Sequence, residues 1–473
     1  MYLSQLLTDV DIIEKYNYTD TDITGVHYNS AKIQPGNIFV AIKGFTTDGH
    51  KYIPSAIANG AVAVICQEYS PECPVTQIVV RDSRIAEAVV SANFFGRPSE
   101  KFKLIGITGT NGKTTCTYLV KKVLDSAGYK VGLIGTNQNM IGDRVFETGR
   151  TTPDAFELQE LFGRMADENV DYVVMEVSSH ALELGRVYGC RFAVGAFTNL
   201  TQDHLDFHKT MDAYAEAKAK LFSVSDTAVI NCDDEYGASF VQKFGAKGYG
   251  IDTDCTYKAV NTEFTQSGIS FDMNGERYSL NIPGKFSVYN ALCAIGICLE
   301  AGIEPGFIAN ALSDADGVKG RAEVVPTDTD YTVMIDYAHT PDGIENILRT
   351  VRGFARGRVV ILFGCCGDRD NTKRPIMGRI AGELADFCIV TSDNPRTEDP
   401  MGIIAMIEPA VKETGTPYVV IENRAEAICY ALDNAQKDDV IVLAGKGHET
   451  YQILGSGTID FDEREIVKNH LEK

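Results

Sequence analysis

Ile107-Thr108-Gly109-Thr110-Asn111-Gly112-Lys113-Thr114-Thr115 follows the apolar run from Phe102 to Ile107 and precedes an amphipathic stretch. A strand, a glycine-rich turn and a helix start, in that order, turn backbone N–H groups and a helix N-terminus toward an anion. Lys113 adds a point charge for the terminal phosphates of a nucleotide, and the Thr114 hydroxyl suits a magnesium ion. The common phosphate loop has four residues between its outer glycine and the Gly-Lys pair, whereas Gly109 and Gly112 enclose two. The alternative is a chance glycine turn, but Gly-Lys-Thr-Thr between a strand and a helix favours a nucleoside triphosphate site with a shortened loop.

Outward from this loop, 473 residues suggest about three domains. Residues 1–98 hold strand-like runs at Asn37–Ile42, Ala61–Gln67 and Gln77–Arg81, and Gly96-Arg97-Pro98 punctuates their end. From 99 to 322, strands are expected at Leu104–Thr108, Tyr172–Val177, Phe192–Thr198 and Thr227–Asn231. A polar strand-rich insert (Cys255–Ile282) and a helix over Asn290–Ala301 follow. From 323 to 473, strands are expected near Val333 and at Val359–Phe363, Phe387–Thr391, Tyr418–Ile421 and Val440–Ala444. Strands separated by helix-length segments predict an α/β fold with mainly parallel sheets.

A net charge of −21 argues against nucleic acid as the partner, because a phosphate backbone calls for a basic face. No apolar stretch reaches membrane-spanning length, and the first twenty residues lack an export signal, so the expected compartment is the cytoplasm. The twelve cysteines include no Cys-x-x-Cys pair and read as reduced core residues, the adjacent Cys365-Cys366 included.

Two central strands run into polar segments, Met175-Glu176-Val177-Ser178-Ser179-His180 and Phe197-Thr198-Asn199-Leu200-Thr201-Gln202-Asp203-His204. Parallel sheets bind ligands at the carboxyl ends of their strands, where Lys113, Glu176 and His204 would converge. Singly, Glu176 and His204 read as a solvated carboxylate and a helix cap; together on one sheet edge they suit metal-assisted phosphoryl transfer. In the last third, Gly364-Cys365-Cys366-Gly367-Asp368-Arg369-Asp370, Asp393-Asn394-Pro395-Arg396 and Gly445-Lys446-Gly447-His448-Glu449 each follow a strand. Arginine forks and carboxylates brought together suit an amino-acid zwitterion, the alternative being surface loops with ordinary ion pairs.

These motifs, with Asn290 in GKFSVYNA, GRAEV at Gly320–Val324 and IDYAHTPD at Ile335–Asp342, resemble the Mur ligase family over essentially the whole chain. The resemblance implies a small N-terminal α/β domain (1–98) binding a UDP-muramoyl acceptor. It also implies a central P-loop-type ATPase domain with a mostly parallel sheet (99–322) and a C-terminal Rossmann-like domain for the amino acid (323–473). It implies ATP contacts at Gly109, Thr110, Asn111, Gly112, Lys113, Thr114, Thr115, Asn290, Arg321 and Asp336. Mg²⁺ would be held by Thr114, Glu176, His204 and a carbamylated Lys218, with Lys113, Glu176, His204 and Lys218 as the catalytic set. Read without the family, Tyr214–Phe222 is an amphipathic helix with solvated lysines.

The resemblance further implies an acceptor site at Ser30, Thr151, Thr152, Ser178 and Arg186, although Asn29-Ser30-Ala31 stands where the family usually has Asp-Ser-Arg. The DNPR motif is similar to that of the members that add meso-diaminopimelate, implying an amino-acid site of Arg369, Asp393, Asn394, Pro395, Arg396, Gly445 and Glu449. Arg396 would pair with the distal carboxylate that lysine lacks. The implied partners are small molecules only, and the expected state is a monomer. A lysine-adding relative, a folylpolyglutamate synthetase-like ligase and a noncatalytic nucleotide-binding scaffold are the competing readings.

Overall fold

The structure is a computed structural model that describes residues 1–44, 47–146, 148–265, 268–315 and 317–472. It divides into two compact units, one of Met1–Thr108, Gly128–Gly195 and Ala217–Thr227, the other of Gly109–Ala127, Ala196–Glu216 and Ala228–Lys473.

The first unit opens with a five-stranded sheet in the order Ile12–Tyr16, Thr76–Val80, Ala63–Cys66, Asn37–Val40, Gly25–His27. Only the first pair is antiparallel. Three of these strands are buried at every position, which explains their continuous apolar reading. Their side chains alternate between two cores, Ile38 and Val40 on one face, Phe39 and Ala41 on the other. The expected strand at Ala61–Gln67 shortens to Ala63–Cys66, because Gly60 (φ +106°) and Ala61 close the helix Ile53–Ala58 through N–H bonds to Ile57 and Ala56.

The same unit contains the strand Lys103–Thr108, which lies parallel to Tyr172–Glu176, itself parallel to Val131–Ile134. An antiparallel meander, Asn139–Ile141 and Arg144–Phe146, extends that edge. Glu176 sits opposite Ile107, at the strand end from which the glycine loop departs.

In the second unit, the helix Lys113–Ser126 packs on the almost wholly buried helix Lys285–Glu300. The latter begins five residues ahead of its expected start at Asn290. The polar insert is a three-stranded antiparallel sheet, Val260–Thr265, Gly268–Met273 and Glu276–Leu280. A six-stranded sheet follows in the order Glu323–Val325, Thr332–Asp336, Val440–Ala444, Val359–Phe363, Phe387–Val390, Tyr418–Val420, parallel except at its first pair. Val359, Ile361 and Phe363 face one helical layer, and Val360 and Leu362 face the other. A sheet covered on both faces is the doubly wound α/β arrangement, with ligand sites at strand ends.

Candidate active site

In the second unit the glycine loop is tight and heavily braced. Gly109 (φ +148°) and Gly112 (φ +84°) both occupy backbone conformations that favour glycine. A Cβ on Gly109 would overlap the Thr198 hydroxyl, and one on Gly112 would overlap the Asn290 amide oxygen. Thr110 N donates to Asn199 O (2.8 Å), Asn111 N to Asn199 Oδ1 (2.9 Å) and Thr198 Oγ1 to Asn111 O (2.6 Å). A two-residue spacing between the glycines is thus held by a neighbouring strand end. Lys113 heads its helix and points its ammonium back over the loop, 2.9 Å from Gly109 O and 2.8 Å from Thr110 O.

Beside the loop lies a cavity of about 360 Å³, lined among others by Asn111, Thr114, Asn290, Arg321, Asp336 and Tyr249. Arg321 donates from Nη2 to Thr114 Oγ1 (3.1 Å) and lays its guanidinium over the Tyr337 ring at 4.5 Å, while its buried Nε has no hydrogen-bond partner among the described residues. Asp336 accepts from the N–H groups of Ala322 (2.7 Å) and Ala338 (2.8 Å); burial raises its carboxyl above the usual value against the opposing pull of Arg321. The cavity therefore joins most of the residues implied for ATP, and adds Tyr249, Tyr289 and Lys285.

His204 stands at φ +56° before the short helix Leu205–His208 and makes no side-chain cap, so the helix-cap alternative fails for its ring. Its Nε2 is 3.5 Å from Asp203 Oδ2, and Lys373 Nζ (3.4 Å) and His339 Nε2 (3.9 Å) approach the same carboxylate. Burial works to raise the Asp203 carboxyl, but the charges of His204, Lys373 and His339 outweigh it and hold it well below the carboxylate range. His339 is driven down to about 4 by burial and by Lys373. His339 lies within the IDYAHTPD motif, without a role assigned to it there, and Lys373 lies in no motif.

In the first unit, Glu176 is 1% exposed and accepts from Thr136 N (2.8 Å) and Thr136 Oγ1 (3.0 Å), which excludes a solvated loop carboxylate. Thr151 Oγ1 is 3.0 Å from Thr136 Oγ1, and Thr152 Oγ1 donates to Glu176 O (2.8 Å). Ser178 N donates to Thr152 Oγ1 (3.0 Å), while Ser178 Oγ caps the helix Ser179–Glu183. Arg186 donates to Thr152 O (2.8 Å) and pairs with Asp154 Oδ1 (2.9 Å). Asp154 also binds Arg150 and, at 3.2 Å, the Tyr28 hydroxyl. Four of the five residues implied for the acceptor thus form one network, next to a cavity of about 430 Å³ lined by Tyr28, Asn139, Arg150, Glu157 and Arg164 among others. The fifth, Ser30, begins the turn Ser30–Lys32, where Asn29 accepts from Ala31 N (3.0 Å) and so serves as its cap. Arg150 and Asp154 flank the Thr-Thr pair that the motif reading selected, and Tyr28 precedes Ser30 by two residues; charge and sequence position were the signals available for them.

Lys218 is 1% exposed, whereas Lys220 is a surface residue paired with Glu183 at 2.6 Å. The reading of that helix as one with solvated lysines is therefore corrected for Lys218.

The third cluster is buried, and it excludes the surface-loop alternative for its core. Asp393 and Asn394 are each 2% exposed, Lys446 is wholly buried and Glu449 is 8% exposed. Asn394 donates to Glu449 Oε2 (2.9 Å) and accepts from Lys446 Nζ (3.2 Å) and Ile453 N (2.9 Å); Lys446 pairs with Glu449 at 2.8 Å. Gly445 (φ +119°) leaves room for Asp393 Oδ2, which a Cβ would displace. Burial alone would raise the Asp393 carboxyl, but Lys446 and Arg424 hold it below its ordinary value. After buried Pro395 the chain turns to φ +56° at Arg396, whose N–H donates to Ile453 O (3.1 Å) and whose buried Nε has no hydrogen-bond partner among the described residues. Arg369 differs: it is exposed and donates to Asp368 O (2.9 Å), outside the buried network.

For a metal, the donors present are hard oxygens, the Glu176 carboxylate and the Thr114 hydroxyl, with the His204 imidazole. Among the described residues no group of three or more His, Cys, Asp or Glu is placed to hold an ion unaided. Mg²⁺ commonly takes one or two carboxylates and completes its shell with phosphates and water, and the Glu176 carboxylate of the first unit and the Thr114 hydroxyl of the second are each donors of that kind.

Three family models match the chain: the Mur ligase middle domain at residues 107–298, the glutamate ligase domain of Mur ligases at 320–447, and one described as Mur ligase family, catalytic domain, at 22–95. The chain is 54% identical over 460 residues to the UDP-N-acetylmuramoyl-L-alanyl-D-glutamate–2,6-diaminopimelate ligase of Caldanaerobacter subterraneus subsp. tengcongensis, covering 96% of this chain and 95% of that one. It is 50% identical to the ligase of the same name from Clostridium botulinum, covering 94% and 95%. A solved structure of such a ligase superposes with a TM-score of 0.69 at 30% identity, over 100% of this chain and 99% of the other.

Proposed function

The chain belongs to the Mur ligase family, and from that premise we propose that it is an ATP-dependent ligase that joins meso-diaminopimelate to the D-glutamate of UDP-N-acetylmuramoyl-L-alanyl-D-glutamate. The γ-phosphoryl group of ATP passes to the acceptor's side-chain carboxylate, leaving ADP. The amine then attacks the acyl phosphate, and phosphate departs from the tetrahedral intermediate.

The loop Gly109–Thr115 with Asn290, Arg321 and Asp336 binds the nucleotide, and Lys113 meets the charge of the transferred group. Glu176 belongs to the first unit and Lys113 and His204 to the second, so their convergence is part of this proposal. Thr114, Glu176, His204 and carbamylated Lys218 would hold Mg²⁺, which supplies charge neutralisation when bound. Thr151, Thr152, Ser178, Arg186 and Ser30 hold the acceptor, and the cluster at 393–396 and 445–449, with Arg369, holds the amino acid. The corresponding division of labour is 1–98 for the acceptor's UDP-sugar, 99–322 for ATP and 323–473 for the amino acid. No helix among the described residues is long and apolar enough to cross a membrane. We infer that the chain works in the cytoplasm on a soluble precursor, as a monomer.

The observation that carries the choice of amino acid is the braced loop that ends in Arg396, whose Nε has no hydrogen-bond partner among the described residues. A guanidinium set on a rigid wall selects a second carboxylate and leaves lysine with an unpaired contact. The test is phosphate release with ATP, the acceptor, and diaminopimelate, lysine or both, followed by mass analysis of the product. Diaminopimelate adduct from the mixture supports the reading. Lysine adduct would transfer the chain to the lysine-adding branch, and no phosphate release with either would leave a scaffold.

A further inference from the structure

Cys232 and Cys255 lie outside the catalytic set and meet across one residue. Cys232 follows the strand Ser225–Asn231, Cys255 precedes Tyr257–Lys258, and the strand Lys247–Gly250 runs between them. A Cβ added to Gly248 would lie 3.3 Å from Cys255 Cβ and 3.5 Å from both Cβ and Sγ of Cys232, so both side chains lean over the space this glycine leaves. The two side chains thus converge on one space, and Cys232 Sγ donates to Tyr249 O at 3.0 Å. The two are unequal. Cys232 is buried, while Cys255 is half-buried. The neighbouring Cys232 side chain, with Tyr257 N–H and Lys258, lowers the Cys255 thiol below its ordinary value against burial and the charge of Asp233. The more reachable sulfur is therefore also the better nucleophile, with a second thiol in place to resolve it.

We propose that Cys255 and Cys232 form a dithiol oxidation site for peroxides. The Cys255 sulfur attacks one peroxide oxygen, the O–O bond breaks, and a sulfenic acid and one water result. The Cys232 sulfur then attacks Cys255, displacing the hydroxyl as a second water and closing an S–S bond. Two electrons leave the sulfurs and reduce the two peroxide oxygens.

The pair is tied to the larger site. Asp233, next to Cys232, accepts from the N–H groups of Ile251 (2.6 Å), Asp252 (2.9 Å) and Thr253 (2.8 Å) and from the Tyr289 hydroxyl (3.0 Å). Tyr289 and Tyr249 line the 360 Å³ cavity. A disulfide that draws the 251–255 loop toward Cys232 pulls on both tyrosines and weakens nucleotide binding. This second effect rests on the nucleotide assignment of that cavity; the oxidation chemistry does not.

The experiment treats the full-length protein with hydrogen peroxide and maps non-reduced peptides by mass spectrometry. A peptide linking Cys232 to Cys255, two hydrogens lighter and reversed by dithiothreitol, is expected. Cys232→Ser should leave a sulfenic acid on Cys255 that dimedone traps. Oxidation confined to other thiols such as Cys429, with no 232–255 link in the wild-type chain, overturns the site whatever the variants do. ADP should bind the oxidised protein about fivefold or more weakly than the reduced. Equal affinities would overturn the coupling, while no ADP binding by the reduced protein would instead remove the cavity assignment.

Discussion

Arg321 reaches Thr114: its Nη2 donates a 3.1 Å hydrogen bond to the hydroxyl of the residue next to the phosphate-loop lysine. A residue far along the chain thereby becomes a wall of the nucleotide cavity. Its guanidinium lies over the Tyr337 ring at 4.5 Å, and its buried Nε has no hydrogen-bond partner among the described residues. A planar cation so oriented suits a phosphate oxygen or a ribose better than a flexible ammonium would. Arg321→Lys should therefore raise the KM for ATP about tenfold or more while leaving the melting temperature within a few degrees. An unchanged KM would show that the arginine serves only the packing of Tyr337.

Lys218 is buried to 1% exposure on the helix Met211–Ser223. An ammonium is costly to bury near a divalent cation, whereas a carbamate brings two anionic oxygens to it. Lys218→Ala should abolish turnover, and short carboxylic acids such as formate or acetate should restore part of it. Full activity of the variant without added acid would refute the carbamate.

The sequence made some of this fold legible and hid the rest for physical reasons. Val359–Phe363 and Val440–Ala444 are read residue for residue because every position is buried and the apolar run ends where the strand does. The meander Val131–Ile134, Asn139–Ile141 and Arg144–Phe146 was not legible: three- and four-residue strands broken by glycine and asparagine are too short to show a period. Contiguous motifs delivered the phosphate loop and the Asp393–Arg396 turn. The carboxylate of Asp203, shared by His204, Lys373 and His339, could not be read, since its partners come from separate segments. Nor could the sequence show which lysine of the helix is buried. Ala215, Ala217 and Ala219 are all buried, and alanine at every second position blurs the edge of the apolar stripe of this amphipathic helix, so that nothing sets Lys218 apart from Lys220.

At Arg396 the backbone itself must be controlled for. The residue sits at φ +56°, so any replacement but glycine or asparagine carries a backbone cost of about 1 kcal/mol. Arg396→Lys keeps the backbone requirement and one charge and loses the planar fork. It should lower kcat/KM for diaminopimelate about a hundredfold or more, with much less effect on lysine, so that the preference between the two collapses. Equal proportional losses for both amino acids would mean that the loop is merely disturbed.

Glu87 on the helix Ser83–Phe94 gives a test by pH. It is 5% exposed, and its buried Oε1 has no hydrogen-bond partner among the described residues. The groups that act on it are Arg84 on its own helix and Glu157 and Arg186 from other elements, and Tyr28 feels its charge in turn. Burial pushes its carboxyl from an ordinary 4.5 up to about 8, with Arg84 opposing. Between those values the folded chain keeps a proton that the unfolded chain has lost. Stability therefore falls as pH rises from 4.5 toward 8, and the full penalty stands above 8. Glu87→Gln removes the titrating group and keeps the shape. Its melting temperature should match the parent near pH 4 and exceed it progressively toward pH 8, where the gain in stability is on the order of a few kcal/mol. Melting curves that run parallel for the two proteins across this range would mean that Glu87 is not held protonated.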